Sequence, residues 1–200
     1  MQVDMFSRVS VVALFVLAGG FVFSQQDNGN SLLLDDFSRE DGRSRVATQW
    51  EGFTDRVMGG RSDMSARIEH GAQGPALRMT GRVSLENNGG FIQMRLPLSA
   101  TGAIDASGYR GVAVTARATG DHYYIHLRTS RTRFPWSHYE QKIPVTEQWK
   151  RIELPFADFV AQNMLGGGSP DVSRLRSVAV VAGKADFTAD IRVRSIELYR

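Results

Sequence analysis

The 200-residue sequence contains no cysteine. That excludes disulfides, cysteine-ligated zinc, thioether-linked haem and a thiol nucleophile together. Only six prolines stand against 20 glycines, a balance that fits a fold with many tight turns. Blocks of like charge are missing too. The 24 Lys and Arg and 21 Asp and Glu leave a net charge of +3, and from Arg39 to Arg200 the arginines are interleaved with acids. Nucleic-acid binders gather their cations along one face or arm, so no nucleic-acid partner is expected.

Long apolar runs are nearly absent. The exception is Val9–Phe23, VSVVALFVLAGGFVF, preceded by Arg8 and followed by the polar stretch Ser24–Asn30. At about 15 residues it is short for the roughly 20 that cross a bilayer and matches the core of a signal peptide. Val22 and Ser24 are small enough for the positions before a cleavage point near Ser24–Gln25. Retained, the same run would be a membrane anchor. Residues 1–24 therefore read as signal peptide or anchor, 25–31 as a polar linker, and 32–200 as one domain. The expected location is periplasmic or extracellular, or membrane-anchored, with membrane contact only through the uncleaved segment. Apolar residues make up 42% of the chain, too many for a disordered tail.

Within the domain, apolar and polar residues alternate with a period of two, the mark of half-buried strands. Leu77, Met79, Gly81, Val83 and Leu85 form one such series. Others are Ile92–Met94–Leu96, Val112–Val114–Ala116, Tyr123–Ile125–Leu127, Ile152–Leu154 and Val178–Val180. The last series, Ala189–Ile191–Val193, resumes at Ile196–Leu198, and that step of three predicts a β-bulge near Arg194–Ser195. Turn signals separate the runs at Asn87–Gly90, Ser107–Gly108, Thr119–Asp121 and Gly166–Pro170. Only Phe156–Leu165 offers a short helical pattern. Many strands without alternating helices predict an all-β antiparallel sandwich or jelly roll.

Chemistry-bearing sets are sparse. His70, His122, His126 and His138 lack the helical spacing of a zinc motif, and His122 with His126 reads as polarity on a solvent face. No G-x-S-x-G elbow exists to anchor a hydrolase triad. Glu86, Glu140 and Glu153 are available for a glycosidase-type pair, but nothing in the sequence joins any two. No catalytic, cofactor-binding or metal-binding residues are assigned. Trp136 and Tyr139, flanking His138, form a candidate aromatic binding surface.

The most distinctive stretch runs from Trp50 to Ser62. Asp55 can accept backbone N–H groups, Arg56 can pair with a carboxylate, and Gly59 and Gly60 can take φ > 0 in a corner or allow close approach of a partner. Asp55-Arg56-Val57-Met58-Gly59-Gly60-Arg61-Ser62 after Trp50 resembles the signature of the complex I intermediate-associated protein 30 domain family. Further matches are Gly81–Leu85 with Gly89–Phe91, Asp105 with Gly108–Gly111, Gly120–Asp121 with Tyr123–Tyr124, and Trp149 leading to Leu154–Phe156 and Phe159. They extend the resemblance over Leu32–Arg200. It implies a galactose-binding-like jelly roll and, from the mitochondrial members, a chaperone-like role in assembling respiratory complex I without catalysis.

Two functions from different classes follow. One is a non-catalytic, assembly-factor or chaperone-like module for protein partners, with Trp50, Asp55, Arg56, Met58, Gly59, Gly60, Arg61 and Ser62 as a structural or contact motif. The other is a carbohydrate-binding module that uses the exposed aromatics.

Overall fold

A computed structural model describes residues 31–163 and 167–200. The segment read as signal or anchor lies outside the described residues, as does the linker up to residue 30. Ser31, grouped above with the linker, already pairs with Tyr199 in a strand.

The chain forms two six-stranded antiparallel sheets packed face to face. The first contains β1 (Ser31–Asp35), β3 (Ser65–Gly71), β4 (Gly74–Val83), β6 (Gly111–Thr119), β9 (Lys150–Pro155) and β12 (Phe187–Tyr199). Its order is β3-β4-β12-β6-β9, and β1 pairs with the C-terminal half of β12. The second contains β2 (Glu51–Thr54), β5 (Phe91–Pro97), β7 (Tyr123–Thr129), β8 (His138–Lys142), β10 (Val160–Gln162) and β11 (Leu175–Gly183), in the order β10-β8-β7-β11-β5-β2. The chain passes repeatedly between the sheets, which makes the architecture a jelly-roll β-sandwich. Among the described residues no helix is long and apolar enough to cross a membrane.

The period-two series supply the core. Met79 and Val83 of β4 meet Ile92 and Leu96 of β5, Ile125 and Leu127 of β7, and Val178 and Val180 of β11, all essentially buried. In β12 the pairing with β6 slips between Val193 and Ser195. This is the predicted bulge, and through it Val193, Ile196 and Leu198 all stay inside. Leu85 does not continue its series. It precedes the 3-10 turn Glu86–Asn88 and is 46% exposed. The helical reading of Phe156–Leu165 is also corrected. Phe156–Asp158 is a single 3-10 turn, followed by the strand β10. The strands missed in the sequence, β1, β2, β3, β8 and β10, are mostly short edge elements or have an exposed face that weakens alternation.

One corner joins the two sheets. Asp55 begins the 3-10 turn Asp55–Met58 after β2 and is fully buried. Its Oδ1 accepts the Ser62 N–H at 2.9 Å. Its Oδ2 accepts the Ser62 hydroxyl at 2.5 Å, the Gly90 N–H at 2.6 Å and the Phe91 N–H at 3.3 Å. Ser62 Oγ in turn accepts the Ser84 N–H at 2.9 Å. Burial penalises the charge on Asp55, but these donors outweigh it and hold the carboxyl below its ordinary pKa. Gly59 ends the turn with φ 88°, where only glycine is unstrained. Gly60 is needed for space: a Cβ there would lie 2.4 Å from the Asp55 carboxyl carbon.

Gly60→Val displaces the buried carboxylate and costs roughly 2–4 kcal/mol in urea unfolding, overpacking and lost hydrogen bonds combined. An unchanged midpoint contradicts the packing. A lowered folded-state pKa contributes stability above the unfolded-state value, and that stability is lost as pH falls through the folded value. Asp55→Asn is therefore destabilising at pH 7, and the gap to the natural protein narrows as pH falls below about 4. A gap independent of pH would show that the charge of Asp55 contributes nothing.

Candidate functional site

The outer faces of the two sheets differ in chemistry. On the first, Arg78 bridges Asp190 and Glu69 at 2.8 and 3.0 Å. Arg192 contacts the same two acids at 3.1 and 3.0 Å, so the charges are mutually paired. The second sheet carries a cleft of about 620 Å³ instead.

Strand register builds its floor. Ala179 on the central strand β11 lies between Arg95 of β5 and His126 of β7, while Ser177 neighbours Arg128. Ser177 and Ala179 are small and nearly covered, at 6% and 3% exposure. The longer side chains beside them stand up as walls. Gln93 and Phe91 of β5 and Phe53 of β2 extend one side. The Arg95 guanidinium lies 4.5 Å from the Phe53 ring centroid and is held by Glu51 at 2.6 Å. That pairing presents a flat guanidinium–aromatic surface to the cleft.

Opposite edges of the sheet supply the rims. From the β2 side, the turn carrying Asp55 places Val57 and Met58 on the rim, 71% and 54% exposed. From the β8 side comes the loop between β7 and β8. There Phe134 and Trp136 stack with ring centroids 5.3 Å apart and planes within 2°, each more than half exposed. Arg128 donates to the carbonyls of Thr132, Phe134 and Pro135 at 3.2, 2.8 and 3.3 Å. Asn163 Nδ2 reaches the Trp136 carbonyl at 3.4 Å. Trp136 is thus a braced platform on an otherwise irregular loop. Burial, with Arg95 and Arg176 nearby, pushes the Arg128 guanidinium pKa down.

A polar cluster sits at the β7–β8 end of the floor. His126 pairs in register with Glu140, and His138 shares Glu140's face two residues away. The His126 and His138 rings stack at 3.8 Å with 14° between planes. Glu140 Oε2 lies 3.6 Å from Nε2 of each, too far for a hydrogen bond, while Oε1 is paired with Lys184 Nζ. Burial holds the His126 imidazole at a pKa of about 4, against the pull of Glu140, so the ring is neutral at pH 7. Burial opposes ionisation of Glu140 as well, but His126, His138 and Lys184 together keep its carboxyl well below the usual range.

The residues singled out in the sequence fall in separate places. Trp50 is half-buried, donating its indole N–H to Asp35 at 2.7 Å and packing near Phe37. Asp55, Gly59, Gly60 and Ser62 form the corner. Arg56 donates from Nε to the Ser62 carbonyl at 2.9 Å, and Arg61 pairs at the surface with Glu86 at 3.0 Å. Met58 and Trp136 reach the cleft. Tyr139 does not and is corrected: it is fully buried on the core face of β8, beside its register partner Leu127 of β7. Strand alternation forces this, because β8 turns His138 and Glu140 outward and Tyr139 inward. His126 with His138 also corrects the reading of His122 with His126. The structure pairs His126 across strands, a register that spacing along the chain does not reveal, and His122 instead lies 3.2 Å from Asp121.

No curated protein sequence matches the chain. Among solved structures, a family 11 carbohydrate-binding module from Clostridium thermocellum, in complex with a β-1,3-1,4-mixed-linked tetrasaccharide, is similar with a TM-score of 0.66 and 16% identity. It covers 85% of this chain and 95% of its own. A family 30 module of a cellulosomal cellulase from the same organism has a TM-score of 0.56 and 13% identity, covering 84% and 95%. These likenesses are of fold. The family model for complex I intermediate-associated protein 30 matches residues 36–182. That span includes the corner and every residue lining the cleft, and the chain belongs to the complex I intermediate-associated protein 30 family.

Proposed function

We propose that the protein is a non-catalytic binding module whose cleft takes a segment of polysaccharide. The observation that carries this reading is the braced Trp136 platform, set across the cleft from the Phe53–Arg95 surface with Gln93, Arg128 and Asn163 among the lining side chains. A sugar ring has apolar C–H faces and a polar hydroxyl rim. It suits a concave site of aromatic surfaces with a few placed hydrogen-bonding groups. The lining side chains include no Asp or Glu, so the carboxylate pair of glycoside hydrolysis has no counterpart among them. The tetrasaccharide-bound family 11 module supplies a first choice of ligand to try. The choice of ligand class rests on the side chains, since the similarity is of fold.

A second reading, an assembly or chaperone-like role on a protein partner, draws on family membership and on the rim. Val57 and Met58 are exposed beside the same cleft, and flexible Met side chains adapt to varied apolar surfaces. In both readings the proposed site of action is outside the cytoplasm or at the membrane, from the apolar segment Val9–Phe23 and its flanks.

The readings separate experimentally. Calorimetry against mixed-linked and other polysaccharide fragments is expected to find one saturable ligand. Trp136→Ala weakens it at least tenfold, about 1.4 kcal/mol, with the thermal midpoint changed by little. Binding to no glycan, together with a protein captured by the natural chain and lost with Met58→Asp, would reverse the order of the two.

A further inference from the structure

The cluster of His126, His138 and Glu140 is unusual in what it leaves unpaired. His126 Nε2, His138 Nε2 and Glu140 Oε2 are all buried, and none has a hydrogen-bond partner. One ligand atom from each residue lies within 4.8 Å of the other two. Buried polar atoms are almost always satisfied. Glu140 Oε2 lies 3.6 Å from both His126 Nε2 and His138 Nε2, a group of buried atoms without partners that a cation between them would satisfy.

The tautomer of His138 supports the same conclusion. Its Nδ1 lies 3.0 Å from the Trp136 carbonyl oxygen. A carbonyl only accepts, so Nδ1 carries a proton, and in the neutral ring Nε2 presents a free lone pair to Glu140. Metal-bound histidines are oriented in this manner, the far nitrogen donating to a carbonyl or carboxylate. Lys184 occupies only Oε1 of Glu140 and leaves Oε2 to the cluster.

We propose that His126, His138 and Glu140 form a binding site for a divalent transition-metal ion of the zinc class, beneath the part of the cleft that His126 and His138 line. Two imidazoles and one carboxylate are a zinc ligand set, with bonds of about 2.0–2.2 Å. Tetrahedral ligands at that length stand roughly 3.3–3.6 Å apart. The two Nε2–Oε2 separations, both 3.6 Å, are at that limit. Closing the set takes a turn of both rings about χ2, out of their stacked arrangement, so that each lone pair points at the ion. Three protein ligands leave a fourth position for water or for a ligand hydroxyl.

The inference concerns the metal alone and is tested without any saccharide, so its failure is distinct from failure of the proposed function. The full chain, free of any histidine tag and stripped by a chelator, is titrated with Zn²⁺ by calorimetry and with Co²⁺ by visible absorption. One ion per chain is expected, with the d–d bands of low-coordinate Co²⁺. His126→Gln, His138→Gln and Glu140→Gln each weaken binding by about 10–100-fold or more. Lys184→Met keeps the site, since its ammonium contributes no ligand atom. Absence of saturable Zn²⁺ binding by the folded natural chain overturns the proposal. So does binding that all three ligand variants retain with native circular dichroism. Should those variants fail to fold, the Co²⁺ spectrum of the natural chain and of Lys184→Met decides: visible bands at one equivalent support the site, and their absence refutes it.

Discussion

The carboxylate of Asp55 has no exposure to water and is matched instead to a hydroxyl and three backbone N–H groups. An ionised group at such depth is tolerable only when its lone pairs are filled. The surrounding chain is shaped to fill them. Ser62 closes the loop after the Asp55–Met58 turn, while Gly90 and Phe91 lead into β5. Gly60 and Gly89 let the backbone come within reach, because a Cβ at either would strike the carboxylate. The cleft depends on this corner, since the same turn carries Val57 and Met58 and the same N–H donors start the strand that bears Gln93 and Arg95. The family signature around Asp55 is thus the residue set of a buried anion and its cradle, placed beside the cleft.

Two kinds of surface have been built from one strand grammar. The first sheet turns outward a self-neutralising lattice of Arg78, Arg192, Glu69 and Asp190. On the second sheet, small residues on the central strand sink the floor and aromatics rise at the margins. Arg128 is spent on holding a loop rather than on pairing with an acid. Its three carbonyl contacts give Trp136 a fixed bearing, so a ligand stacking there gives up less conformational freedom in the protein. Fold alone does not assign a ligand; this division of labour between the faces does most of that work.

Much of the architecture was legible in the sequence. Period-two patterns marked the seven strands that carry most of the core, and a step of three at Val193–Ile196 marked the bulge. Both are local signals. The short strands β2 and β10 and the half-exposed β8 carried too few inward residues to register. For the same reason Tyr139 was grouped with Trp136, although one position of alternation separates a core residue from a surface one. Gly60 was singled out for its conformation, whereas the structure gives positive φ to Gly59 and a steric demand to Gly60. Most of the cleft was illegible, because it depends on which strands are neighbours. Nothing along the chain tells that His126 lies against Glu140, or that Arg95 and His126 flank Ala179.

The central claim is that the ligand lies on the outer face of the second sheet. Backbone amide chemical-shift mapping, during titration with a mixed-linked β-glucan oligosaccharide, tests it directly. The account predicts saturating shifts concentrated at residues 91–95, 126–128, 136–138 and 177–179, with the Trp136 indole N–H among them. Shifts centred on Arg78 and Arg192 of the first sheet, or none with any polysaccharide fragment or protein partner at the cleft, would contradict it.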